Sequence, residues 1–115
     1  MAKILIIEDN VELLKTLAFQ LEDSDHHVFC SSTAEFALSI LRQLPIEMVI
    51  TDIKLKGLLS GLDIIEELNN SQTKILAISK CRQSLKKAEN LKVPTLSKPF
   101  NQEKFLSIVN ILLEC

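Results

Sequence analysis

Short apolar runs alternate with stretches of helical spacing along the whole chain. The opening segment, AKILIIEDN, is a β-branched, almost wholly apolar run that stops at an acidic pair. Such a run suits a central parallel strand buried on both faces. Residues 11–22, VELLKTLAFQLE, change period: Leu14, Leu17, Ala18 and Leu21 recur at three and four and form one apolar stripe. DSDHH breaks that helix, and HVFCS reads as a second strand, with His26 and His27 as its polar entry. Ser31, Ser32 or Thr33 caps the next helix, whose stripe is Phe36, Ala37, Ile40 and Leu41 and which Pro45 follows. Next come a strand at MVIT, a glycine-containing loop, a helix at GLDIIEELNN, a strand at KILAIS and a weaker helix at RQSLKKAENL. VPTLS is a last short strand. NQEKFLSIVNILLE closes as a helix, with Asn101 as its N-cap, Phe105, Ile108, Val109 and Leu112 inward, and Phe100 packed beneath it.

Strands separated by helices do not pair as hairpins. They form a parallel sheet with right-handed crossovers. The expected fold is α/β: a doubly wound five-stranded parallel sheet with helices on both faces, flavodoxin-like. A chain of 115 residues fits one core, so residues 1–115 are expected to form one domain. Met1, just before the first strand, speaks against a missing N-terminal part, and no DNA-binding helix-turn-helix or output enzyme follows the fifth helix.

Composition narrows the partners. Net charge is −2, which does not suit a basic nucleic-acid binder, and Lys86-Lys87 reads as a solvated helix face. No apolar run approaches the ~20 residues of a membrane span, so no membrane partner is expected. The three cysteines, Cys30, Cys81 and Cys115, are widely spaced without a CxxC. They read as free thiols of a reducing cytosol, hence a cytoplasmic protein.

Sheets of this kind bind ligands beyond the carboxyl ends of their strands, where the strand order reverses. The first strand ends in Glu8-Asp9, the third in Thr51-Asp52, the fourth in Ser79 and the fifth in Lys98-Pro99. Parallel strands gather these groups at one edge: three carboxylates, a hydroxyl and an ammonium. Carboxylates that close repel one another. A hard divalent cation such as Mg²⁺ relieves the repulsion with oxygen ligands. One carboxylate can then serve as a nucleophile, while Lys98 and the Ser79 hydroxyl meet the oxygens of an incoming phosphoryl group. Asp52 thus ends its strand at the sheet edge, in water and beside a metal. The only two glycines, Gly57 and Gly61, let the following loop curl toward the ion.

An acidic pair after strand one, a lone Asp after strand three, Ser after strand four and KPF after strand five resemble the receiver domain of two-component response regulators. The resemblance covers essentially the whole chain. It implies a signalling switch, not a conventional enzyme, that catalyses its own phosphorylation, with catalysis of its dephosphorylation left open. Asp52 would accept a phosphoryl group from a phosphohistidine on a sensor histidine kinase or a histidine phosphotransfer domain, and signal to a downstream protein partner or output domain. Glu8, Asp9, Asp52 and the backbone carbonyl of Lys54 would bind Mg²⁺. Lys98 would meet a phosphoryl oxygen, Ser79 would be the hydroxyl switch, and the Lys98-Pro99 peptide would be cis.

Several positions depart from the family pattern. Lys54 overhangs the pocket, Lys56 stands where Pro is common, and Lys80 replaces a small residue beside Ser79. Nineteen positions separate Ser79 from Lys98, a shortening that falls on the fourth helix or the loop after it. Thr95 occupies the place of a switch aromatic. These departures keep open a phosphorylation-independent interaction module with the same fold. Residue by residue, duller roles also exist. Glu8-Asp9 would cap the first helix, Asp52 would make an Asx-turn, Ser79 would bond nearby backbone and Lys98 would be a surface ion-pair partner. An aspartyl phosphatase would want a second Asp where Lys54 stands, and a flavin-binding domain would want a phosphate-cradling loop in place of EDN.

Overall fold

The computed structural model describes residues 1–114; Cys115 lies outside the described residues. Five strands and five helices alternate strictly. In chain order they are β1 (Lys3–Ile7), α1 (Val11–Asp23), β2 (His27–Ser31), α2 (Ala34–Gln43), β3 (Met48–Asp52), α3 (Gly61–Glu67), β4 (Lys74–Ser79), α4 (Arg82–Asn90), β5 (Thr95–Ser97) and α5 (Gln102–Glu114). All strand pairs are parallel, in the order β2-β1-β3-β4-β5. The doubly wound α/β fold read from the pattern is the fold observed. The order reverses between β1 and β3, which places the cleft of such a sheet beyond their carboxyl ends.

Alternation along the central strands divides the core. Ile4, Ile6, Met48, Ile50, Leu76 and Ile78 face α1 and α5, against Leu14, Leu17, Leu21, Phe105 and Val109. Leu5, Ile7 and Val49 face α2 and α3, with Ala34, Ala37 and Ile64. Ile53, Ile65, Ala77 and Ala88 fill the space under α3 and α4. Phe100 stacks on Phe105 with ring centroids 5.5 Å apart.

Local chemistry sets where helices begin. The Asn10 side chain caps α1 by accepting the Leu13 amide at 3.2 Å, so Glu8 and Asp9 are not the caps. Thr33 caps α2 through the Phe36 amide, also at 3.2 Å. Ser60 and Asp63 form a capping box at α3, and Asn101 caps α5 by accepting the Lys104 amide at 2.7 Å.

One residue of the expected α2 stripe lies elsewhere. Phe36 is 58% exposed, whereas Ala34 and Ala37 are fully buried. Phe36 stands about 200° round the helix from Ala34, and the small alanines bring the helix axis close to the sheet. Among the described residues, no helix is long and apolar enough to cross a membrane.

Gly61 opens α3 where no side chain fits. A Cβ there would lie 2.2 Å from the Asp52 carbonyl oxygen and 2.8 Å from Ile53 Cα. Both are backbone atoms of the strand end that carries Asp52. Gly61→Ala is expected to cost at least about 1–3 kcal/mol, read from urea unfolding. An unchanged midpoint and slope would show that α3 does not pack this tightly on β3.

Candidate functional site

β1 and β3 are neighbours in the sheet, so the residues that end them meet. Asp52 closes β3, and Glu8 and Asp9 follow β1 directly. Lys98 follows β5, two strands away, and its stem reaches back across the end of β4. Its ammonium donates to Glu8 Oε1 at 2.6 Å and to Asp52 Oδ2 at 2.7 Å. Glu8 is fully buried, and the side chain of Lys98 is 9% exposed. Asp52 is 7% exposed, so it does not stand in water as the sequence suggested. Lys98 and the loop after β3 cover it.

One oxygen of each of the three carboxylates meets a backbone amide. Glu8 Oε2 accepts the Asn10 amide at 3.0 Å, Asp52 Oδ1 the Lys54 amide at 3.3 Å, and Asp9 Oδ2 the Lys56 amide at 3.1 Å. Glu8, Asp9 and Asp52 each present one oxygen within 4.8 Å of the others. Three carboxylate oxygens in mutual reach form an all-oxygen donor set, the right chemistry for a hard divalent cation.

Ser79 is buried, and its Oγ accepts the Cys81 amide at 3.0 Å. The hydroxyl thus takes part in the local backbone bond common at strand ends, while still lining the cleft. Lys54, Lys80 and Cys81 line the same opening, which holds about 360 Å³. The Lys98-Pro99 peptide is cis. Thr95 Oγ1 donates to Glu89 Oε2 at 3.2 Å, a polar link between β5 and α4.

The structure therefore brings Glu8, Asp9, Asp52, Lys54, Ser79 and Lys98 into one cleft. Sequence reasoning missed two parts of it. The Lys56 amide on Asp9 gives no side-chain signal. Cys81, read as an ordinary thiol, is the N-cap position of α4, and the nearby Ser84 hydroxyl and amide hold its pKa down to about 7.

Burial pushes the Glu8 carboxyl above its ordinary value. The Lys98 and Asn10 hydrogen bonds pull it back, and repulsion from Asp52 adds to the rise. Burial also works against the Lys98 charge, but hydrogen bonds to Asp52 and Glu8 more than offset it and raise its pKa. Lys98 thus stays an ammonium through neutral pH, and its share of stability is lost only at alkaline pH.

The family model of the response regulator receiver domain matches residues 4–110. No curated protein sequence matches the chain. Among solved structures, a response regulator receiver domain protein from Clostridium thermocellum is 26% identical, with TM-score 0.87, over 99% of this chain and 95% of that one. The non-phosphorylated receiver domain of HemR from Leptospira biflexa is 22% identical, with TM-score 0.88, over 100% of this chain and 96% of that one. The response regulator TrrA from Thermotoga maritima, solved in complex with Mg²⁺ and BeF, is 22% identical, with TM-score 0.87, over 97% of this chain and 99% of that one.

The raised pKa of Glu8 has a definite sign in stability. The folded state holds the proton more tightly than the unfolded chain. The corresponding stability is full below the ordinary value of 4.5 and is lost as pH rises through the higher folded value. Glu8→Gln carries no such charge. Without divalent cations, its stability relative to wild type is expected to rise as pH increases above 4.5. Urea titrations across that range measure it. A relative fall would mean that pairing with Lys98 outweighs burial.

Proposed function

The chain belongs to the response regulator receiver domain family, and from that premise we propose that Asp52 is the phosphoryl acceptor of a two-component phosphorelay. The observation that carries the reading is the Lys98 ammonium 2.7 Å from Asp52 Oδ2, beside two further carboxylates with oxygens in mutual reach. An ammonium fixed on the acceptor is placed to meet the charge of an arriving phosphoryl group. An Asx-turn alone would have no use for it.

In this reading the donor is a phosphohistidine of a sensor histidine kinase or a histidine phosphotransfer domain. An Asp52 oxygen forms the new O–P bond as the P–N bond breaks, and the electron pair stays on the imidazole. Lys98 shifts from carboxylate to phosphoryl oxygen without leaving the cleft. Ser79 keeps the Cys81 amide on its Oγ and donates its O–H to a second phosphoryl oxygen. Glu8, Asp9, Asp52 and the Lys54 carbonyl would hold Mg²⁺, which supplies charge neutralisation for the crowded oxygens. The phosphorylated form would then signal through altered contacts with a downstream partner or output domain.

A second reading, a phosphorylation-independent interaction module, is favoured by the Thr95–Glu89 bond, which ties β5 to α4 where a switch aromatic would move. One titration separates the two. The chain has no Trp or Tyr, so calorimetry rather than intrinsic fluorescence is the measurement. Beryllofluoride with Mg²⁺ is expected to bind the wild type. Asp52→Asn is expected to weaken binding by more than about a hundredfold, since loss of groups that merely support ligands already costs up to that. Wild type that binds no beryllofluoride and takes no phosphoryl group from a phosphotransfer domain, by intact mass, would leave only the second reading.

A further inference from the structure

The loop between β3 and α3 is held by an unusual set of acceptors. Four carboxylates each take one of its amide protons. Asp52 takes Lys54 at 3.3 Å, Asp9 takes Lys56 at 3.1 Å, Glu35 takes Leu59 at 3.4 Å and Asp63 takes Ser60 at 2.7 Å. Asp52 and Asp9 belong to the cleft, where a cation and a phosphoryl group would compete for the same oxygens. Asp63 belongs to the capping box and fixes only the start of α3. Glu35, in the first turn of α2, is the acceptor that lies outside both.

Gly57 supports the special place of Glu35. Its φ is +108°, a backbone region that L side chains rarely adopt, and a Cβ there would lie 2.7 Å from Glu35 Oε2. The glycine therefore lets the loop backbone turn against the carboxylate. The two oxygens of Glu35 meet successive parts of one segment: Oε1 the Leu59 amide, Oε2 the open face of Gly57.

We propose that Glu35 is a positioning residue. Its carboxylate anchors the Gly57–Leu59 segment to α2 and thereby sets where the loop lies over Asp52. Lys54 and Lys56, whose amides meet Asp52 and Asp9, hang between that anchor and the end of β3. A loosened anchor weakens the hold of the cleft on its cation and phosphoryl group. This last step rests on the receiver reading of the site; the anchor itself does not.

Hydrogen exchange by NMR on the cation-free protein tests the anchor. Glu35→Ala is expected to speed exchange of the Lys56 and Leu59 amides by roughly threefold to tenfold, the range for one lost hydrogen bond. Glu35→Gln keeps the acceptor and restores slow exchange. Calorimetry with beryllofluoride and Mg²⁺ tests the consequence: affinity falls by a similar factor in Glu35→Ala and recovers in Glu35→Gln. A carboxylate that serves only the dipole of α2 predicts the opposite pattern. Both variants would then lose stability alike while the loop amides stay unchanged, and that result overturns the proposal. Faster exchange with unaltered affinity overturns the positioning role.

A double-mutant cycle gives an independent check. Part of the cost of Gly57→Ala should vanish in the Glu35→Ala background, because the strain at positive φ is common to both arms and cancels. Strict additivity counts against contact between the two residues. If the wild type binds no beryllofluoride at all, the receiver reading fails, and the exchange rates and the cycle still decide the anchor.

Discussion

The carboxyl edge of this sheet depends on one buried ammonium. Lys98 Nζ sits 2.6 Å from Glu8 and 2.7 Å from Asp52, and so joins the ends of β1, β3 and β5. Two carboxylates this deeply buried repel each other and lose hydration. A cation between them makes their joint ionisation tolerable. The compensation is incomplete at Glu8, where burial still wins and the carboxyl titrates above its ordinary range. It is more than complete at Lys98, which gains from both partners at once. Lys98 answers two of the three carboxylates, while Asp9 meets a backbone amide and Lys54 and Lys80 stand at the same opening.

The second constraint is backbone rather than charge. Acidic side chains in this region are satisfied mainly by amide protons of their own or neighbouring loops. Asn10 supplies an amide to Glu8, and the loop after β3 supplies amides to Asp52 and Asp9. Each such bond is modest in energy. Together they fix the direction of every carboxylate without a rigid apolar shell. The same oxygens are the ones that would hold a cation in the proposed function. Gly61 lets the start of α3 pack directly on the Asp52 and Ile53 backbone.

These features divide sharply in how readable they were from sequence. The strands were legible because central parallel strands are apolar on both faces, and their carboxyl ends fell on chemically distinct residues. Parallel strands share one carboxyl edge whatever their order, so the convergence of Glu8, Asp9, Asp52, Ser79 and Lys98 was legible too, while the strand order itself was not. Helix faces were less so. Phe36 matched an apolar stripe by hydrophobicity, yet Ala34 and Ala37 are the α2 residues that pack on Leu5, Ile7 and Val49 of the sheet. Hydropathy ranks Phe above Ala and is blind to which face of the helix meets the sheet. Asn10 stood at a recognisable capping position, and capping was weighed only as a duller role for the acidic pair before it. Contacts from side chain to backbone, such as Glu35 to Leu59 or Ser79 to Cys81, leave no periodic trace. They are set by loop conformation, which only coordinates supply.

The end of β4 shows how the two constraints meet. The Lys98 amide donates to the Ser79 carbonyl at 2.9 Å, so pairing between β4 and β5 continues past Ser97. Lys98 is therefore tied to the end of β4 by backbone and to the ends of β1 and β3 by its side chain. Two residues beyond Ser79, the Cys81 amide meets Ser79 Oγ just before α4. At the other end of α4, Glu89 is bonded to Thr95 on β5. The helix is thus linked at one end to the cleft and at the other to the strand that carries Lys98. With Thr95 on β5, the contact to α4 is this polar link, which holds the separation of helix and strand.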